Sequence, residues 1–155
     1  MVNITEFKEE NAAAASELIH SVLEKNNKDD MPDFALKQLF EVYKPEGLKQ
    51  LAKSRKRKLY VAHKDENIVG TVGIEENNIT TLFVNPQFQM KGIGTQLLKF
   101  AEDKIRRTNY SHLMVNSSLS AIPFFQKFGF KKSSDFILEG EVVSQLMKKP
   151  FNSIY

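Results

Sequence analysis

Apolar residues recur along this chain at two different periods, and the changes from one to the other predict its elements. Residues 2–7 alternate apolar and polar side chains, the period of a short strand. Over residues 9–25 the period lengthens, with Ala13, Leu18, Ile19, Val22 and Leu23 at helical spacing. Residues 26–32 are polar and end in a proline, which breaks the helix. A second helical region covers 34–53, interrupted near Pro45 and Gly47. Three short strands are then expected in succession, 59–63, 68–74 and 79–84; in the second, Ile68, Gly70, Val72 and Ile74 share one face. The connections 64–67 and 75–78 are short, polar and Asn-containing, as hairpin loops are, so these strands form an antiparallel meander.

Helical spacing returns over 93–107, where Ile93, Leu97, Leu98, Ala101 and Ile105 make one apolar stripe. Glu102 with Arg106, and Asp103 with Arg107, are placed to pair on the solvent side. Residues 112–115 read as a strand and 120–127 as a short helix, with Gly129 as its C-terminal cap. Residues 130–138 and 142–147 make a last hairpin around Glu139-Gly140. The order β-α-α-β-β-β-α-β-α-β-β predicts an α/β fold. Its sheet is mixed and mostly antiparallel, of about seven strands flanked by about four helices. No repeat, low-complexity tract or linker divides the chain, so residues 1–155 are expected to be a single domain.

Composition narrows the chemistry. With no cysteine there is neither a disulfide nor a thiolate metal site, and the three histidines at 20, 63 and 112 lack ligand spacing, so no metal is expected. Residues 1–10 do not resemble a signal peptide and no apolar run reaches membrane length, which makes the cytoplasm the expected location. A net charge of +3 suits a phosphorylated small ligand. The run Arg55-Lys56-Arg57-Lys58 has no interleaved aromatics and fits a solvated loop, which argues against nucleic acid as a partner.

Gly92 and Gly94 stand where a strand feeds a helix. The first N–H groups of a helix lack intrahelical acceptors and carry partial positive charge, so glycines there let a phosphate approach the backbone. They equally serve to relieve crowding in a tight turn. A Rossmann fingerprint is excluded because its third glycine position holds Leu97, and no lysine stands where a P-loop needs one.

The stretch Gln89-Met90-Lys91-Gly92-Ile93-Gly94, preceded by Val84-Asn85-Pro86, resembles the [Q/R]-x-x-G-x-[G/A] signature of the GNAT superfamily of N-acetyltransferases. A second motif of that family is matched downstream by Asn116, Ala121, Phe124-Phe125, Lys127 and Gly129-Phe130. The resemblance covers essentially the whole chain. It implies an acetyltransferase moving an acetyl group from acetyl-CoA directly to a primary amine, on a small molecule or a protein. It also implies that backbone groups of Leu82, Phe83 and Val84 pair with the pantetheine arm, and that the Leu82 N–H polarises the thioester carbonyl. N–H groups of Met90, Lys91, Gly92, Ile93, Gly94 and Thr95 would take the pyrophosphate, with Gln89 framing the loop. Asn116, Ser117, Ala121, Phe124 and Lys127 would line the other side of the cofactor, although Phe124 and Phe128 fit a core role equally well.

Two departures bear on catalysis. Relatives usually carry a tyrosine at Phe125, where it protonates the departing thiolate; phenylalanine cannot, at a cost of ~2 kcal/mol near neutral pH for a thiol with pKa ~8.5. Where relatives carry a carboxylate or imidazole base, this chain has Asn78 and Thr80, which leaves the base unassigned. Glu41, Tyr60, His63, Glu75 and Glu76 are further candidates without supporting spacing. With no G-x-S-x-G elbow, direct attack by the amine is expected. An acyl-CoA-binding module with little or no turnover is the alternative. The acceptor region would be residues 26–54 and 138–147, the first carrying Asp29, Asp30, Asp33, Glu41 and Glu46, and an exposed edge in the last hairpin leaves room for a homodimer.

Overall fold

The computed structural model describes residues 2–139 and 142–151, with side chains given outside 134–143. Its strands are β1 (Asn3–Glu6), β2 (Arg57–Lys64), β3 (Asn67–Glu75), β4 (Asn78–Val84), β5 (His112–Ser117), β6 (Lys131–Glu139) and β7 (Val142–Pro150). Its helices are α1 (Ala12–Val22), α2 (Asp33–Val42), α3 (Pro45–Lys53), α4 (Ile93–Arg106) and α5 (Ile122–Lys127). The strands form one sheet in the order β1-β2-β3-β4-β5-β7-β6, antiparallel throughout except for the parallel pair β4 and β5. The expected fold class is therefore correct.

The meander closes through two-residue turns whose left-handed residues are Asp65 (φ 56) and Glu76 (φ 58) rather than asparagines. A parallel neighbour needs a crossover, and α4 supplies it between β4 and β5. The α4 stripe of Ile93, Leu97, Leu98, Ala101 and Ile105 is buried against Val72, Ile79, Leu113, Val115 and Met147 of the sheet, joined by Phe125 and Phe130. Leu18, Ile19, Leu36 and Leu48 of the first three helices meet Leu59 and Phe83 in a second cluster. Each such aliphatic side chain, fully buried, contributes about 1.5–3 kcal/mol.

Several local expectations need correction. The interrupted helical region is two helices: Lys44 is extended (ψ 162) and Pro45 takes the first position of α3, where its missing N–H costs nothing. That makes five α-helices among the described residues. Ala13 faces solvent, while Ala12 and Ala15 are buried in its place. Beyond Val22 the first helix widens into a π turn over Leu23–Asn27. Glu102 is not on the solvent side: it is 8% exposed, and Lys149 Nζ from β7 lies 2.9 Å away, with Arg106 at 3.9 Å. Gly140, in the expected last turn, lies outside the described residues.

Candidate active site

The parallel ladder between β4 and β5 consists of Asn78↔Met114 and Ile79↔Val115. Both strands continue, yet each then bonds only its outer neighbour: Val84 pairs with Gly70 on β3, and Ser117 pairs with Gln145 on β7. The sheet thus opens into a wedge between residues 80–84 and 116–117. Edge groups exposed in such a wedge can bond an extended ligand as an added strand would. Leu82, Phe83 and Val84, all half-buried, form one wall. Exposed Asn116 and buried Ser117 form the other, with the Ser117 hydroxyl donating to Ser118 O (2.7 Å). Within the closed ladder, Asn78 Oδ1 is buried without a hydrogen-bond partner among the described residues, a state that calls for a donor.

A β-bulge shapes the β4 wall. Thr71 pairs with Phe83 and Gly73 with Thr80, so Thr81 and Leu82 together stand opposite Val72 alone. Thr81 has φ 50, a conformation that costs a β-branched residue about 1–3 kcal/mol and persists only where its surroundings impose it.

At the mouth of the wedge the chain turns into α4. Gly92 caps the helix in the left-handed conformation (φ 83, ψ 3), and a Cβ there would meet nothing within 4 Å. The first intrahelical bond runs from Gln96 N–H to Gly92 O (3.1 Å), so the N–H groups of residues 92–95 precede the helical ladder. No side chain caps this end, and its first turn carries no acidic residue. The site therefore offers an anion a concentrated set of backbone donors, with Lys91 close by over the Phe88 ring. Gln89 does frame the loop: its Nε2 donates to Val84 O (3.0 Å) and Asn26 Oδ1 (3.1 Å). Met90 is fully exposed at φ 64, and Thr95 lies in the first turn of the helix. A Cβ on Gly94 would touch Phe124 at 3.4 Å and Val84 at 3.7 Å, so β4, α4 and α5 converge there.

On the α5 side, Ala121 is half-buried and Lys127 exposed. Phe124 packs edge-on against Phe125 (5.2 Å) and Phe128 (5.1 Å). Phe125 is 4% exposed and also meets Phe130 edge-on (5.5 Å), so the ring at the usual tyrosine position belongs to the core. Three of the five candidate bases are engaged elsewhere, while Tyr60 is buried with its ring edge-on to Phe100 (4.8 Å) and Glu76 sits in the β3–β4 turn. Glu75 pairs with Arg57 (3.0 Å) and Glu41 with Lys44 (2.9 Å); His63 hydrogen-bonds Thr5, His20 the Phe40 carbonyl, and His112 lies against Ser111.

Three features had no sequence signal of their own. The segment joining α1 to α2 crosses the wedge mouth, because Gln89 of the loop bonds Asn26 while Ser120 Oγ donates to Asp30 Oδ2 (2.8 Å) and Asn26 O (3.3 Å). These contacts span 63 to 94 residues and leave no local pattern. A cleft of about 720 Å³ adjoins the same segment, lined by Glu24, Lys25, Lys28, Leu36, Phe40 and Asn85 among others. Tyr43, at the end of α2, packs edge-on against Phe83 (5.4 Å). Burial raises its hydroxyl above the usual tyrosine range, opposed by hydrogen bonding with Thr81 and by Arg57, so it is protonated at neutral pH. Thr71 is the feature sequence could have flagged, a lone hydroxyl inside an apolar strand.

The family model for the acetyltransferase (GNAT) domain matches residues 27–151. Among curated proteins, the uncharacterised N-acetyltransferase YafP of Escherichia coli K12 is 35% identical over 82 residues, 53% of this chain. The match spans 49% of that relative, so the chain covers about half its length. A GCN5-related N-acetyltransferase structure from Rhodopseudomonas palustris superposes with TM-score 0.85 at 19% identity, covering 97% of this chain and 96% of that one. The PaiA N-acetyltransferase of Thermoplasma acidophilum, solved in complex with coenzyme A, gives 0.81 at 18% identity over 97% and 99%. At these identities the structural likeness is one of fold.

Proposed function

Because the chain belongs to the GNAT acetyltransferase family, we propose that it transfers an acetyl group from acetyl-CoA directly to a primary amine, on a small molecule or a protein. The observation that carries this reading is the wedge between β4 and β5 opening beneath the uncapped N-terminus of α4. The wedge offers an extended arm two strand edges, and the turn offers a diphosphate several N–H donors within one residue's reach of open space at Gly92. When bound, acetyl-CoA supplies an activated acyl carbonyl with a thiolate as its leaving group.

The chain's own residues then divide the work. Leu82, Phe83 and Val84 hold the arm, and the Leu82 N–H faces the acyl carbonyl to stabilise charge developing on its oxygen. Residues 90–95 hold the diphosphate, and Gln89 ties that loop to β4. Asn116, Ser117, Ala121, Phe124 and Lys127 close the other side. A covalent acyl-enzyme is disfavoured, because the Ser117 hydroxyl is donated to a carbonyl and the three histidines are engaged outside the wedge. Neither Asn78 nor Thr80 carries a basic group, so the proton of the attacking amine leaves to water. An alkylamine of pKa ~10.4 is neutral about once in a thousand molecules near pH 7.4, a cost of ~4 kcal/mol for which the described residues of the wedge supply no side-chain base.

The test is release of CoA thiol with a panel of primary amines. Release above hydrolysis for at least one amine is expected, with the acetylated amine as product. Phe125, buried and without a proton to give, favours a second reading, an acyl-CoA-binding module with little turnover. On that reading acetyl-CoA raises the melting temperature while no amine releases thiol, and rapid turnover with any amine rules it out.

A further inference from the structure

Thr81 holds the strained conformation of β4 without a glycine to relieve it, and its surroundings say what imposes the strain. Thr71 on β3 is fully buried, and its hydroxyl donates to Thr81 O at 2.7 Å. The Tyr43 hydroxyl comes close to Thr81, whose own Oγ1 donates to Thr80 Oγ1 at 3.4 Å. Tyr43 is itself held, since Ser16 Oγ donates to its carbonyl (2.7 Å) and its ring lies edge-on against Phe83. Gly73, across the ladder from Thr80, gives these hydroxyls room: a Cβ there would overlap Thr80 Oγ1.

The carbonyl of Thr81 and the N–H of Leu82 are two ends of one peptide unit. In a planar trans peptide they point in opposite directions. The Thr71 hydroxyl fixes the carbonyl toward β3, so the Leu82 N–H is turned away from β3, toward β5 and into the wedge. We propose that Thr71 and Tyr43 are positioning residues that clamp the Thr81 bulge and so aim the Leu82 N–H at the acyl carbonyl of a bound acyl thioester. The proposal rests on the functional reading above, which places that carbonyl at Leu82, and adds the two side chains that orient the donor. Thr71 sets the direction of the peptide plane; Tyr43 keeps the Thr81 side chain from swinging the plane back into a regular ladder.

The experiment uses acetyl-CoA carrying ¹³C in its carbonyl and reads the carbonyl stretch by isotope-edited infrared spectroscopy, free and bound. In the unaltered protein the bound stretch is expected at lower frequency than the free one. Thr71→Val, which keeps shape and removes the hydroxyl, should lose most of that downshift, while affinity for CoA lacking an acyl group stays within threefold. Thr71→Ser should restore the shift, which a purely structural role would not require. Tyr43→Phe should lose part of it. Where turnover is measurable, Thr71→Val should lower kcat at least tenfold with KM for acetyl-CoA unchanged. A folded Thr71→Val protein with an unaltered carbonyl shift overturns the clamp and leaves acetyl-CoA binding standing. If Thr71→Val does not fold, an unaltered shift in Tyr43→Phe overturns it instead. Failure of the unaltered protein to bind acetyl-CoA overturns the clamp and the functional reading together.

Discussion

Substitution of Gly92 separates two ways in which the α4 turn could hold a diphosphate. Gly92 is left-handed at φ 83, and a Cβ there would meet no atom within 4 Å. The fold therefore pays nothing in packing for a side chain, and the cost is conformational. An L-residue in this region loses about 1–2 kcal/mol relative to glycine, more if β-branched. If Gly92→Ala keeps the turn, that cost falls on stability, lowering Tm by roughly 2–8 °C in a domain of this size. If the turn relaxes, the N–H groups swing away and the cost falls on binding instead. Gly92→Val is expected to fold and to bind CoA at least tenfold more weakly, which is ~1.4 kcal/mol. Asparagine tolerates the left-handed region, so a conformational cause ranks CoA affinity Gly, Asn, Ala, Val, whereas obstruction by size places Ala ahead of Asn. Gly94→Ala supplies the opposite sign in stability, since its Cβ only reaches contact distance from Phe124 and a helical alanine gains about 0.5–1 kcal/mol over glycine. Calorimetric titration of CoA beside a thermal melt for each variant decides the matter. Unchanged CoA affinity in folded Gly92→Val would mean that the glycine only turns the chain, and the diphosphate assignment would fall with it.

Phe125→Tyr should raise the rate of thiol release at pH 7 up to tenfold by restoring a proton donor; because the ring is 4% exposed, it should also lower stability by about 1 kcal/mol, and a melt with no gain in turnover refutes the first part. Gln89→Ala removes the bonds to Val84 O and Asn26 Oδ1 and should weaken CoA binding about fivefold, a loss of about 1 kcal/mol, with little change in Tm, read by the same titration. Lys149→Met leaves Glu102, 8% exposed, with Arg106 as its remaining cation at 3.9 Å; urea denaturation should show a loss of about 1–3 kcal/mol, and Glu102→Gln in the same background should recover part of it.

What sequence made legible was whatever depends on neighbours in the chain. Period-two and helical spacing placed the seven strands and the α4 stripe, because burial of one face is written locally. The split of the second helical region was harder: Pro45 breaks a helix or begins one, and only the extended Lys44 before it decides which. Glu102 was misplaced for a different reason. Its spacing to Arg106 is that of a surface pair, and the Lys149 that lets it sit in the interior arrives from β7, 47 residues away. The glycine turn was legible because glycine at a strand-to-helix junction has few physical uses. The wedge was not, since it is made by two pairings on β4 and β5 that stop, and no residue type marks where a parallel ladder ends. Asn26, Asp30 and Ser120 were silent for the same reason, their contacts being made across the fold.

The backbone itself is strained along the region that the proposed function would constrain. Among the described residues, four that are not glycine have positive φ: Asp65, Glu76, Thr81 and Met90. Asp65 and Glu76 sit in the two tight hairpin turns, where the right-handed twist of the strands favours that conformation. Thr81 and Met90 have no such excuse. Thr81 lies inside a strand and is β-branched; Met90 is exposed on a turn whose neighbour Gly92 is already left-handed. A packed fold with no further task would relax both, at a gain of about 1–3 kcal/mol for each. Both instead border one path, from the bulge at Leu82 along the wedge to the N–H groups opening α4. Strain in a sequence otherwise consistent with its fold marks where the local rules yield to another demand. On the function proposed above, that demand is the aiming of backbone N–H groups at a ligand, by the bulge at one end of the path and a left-handed turn at the other.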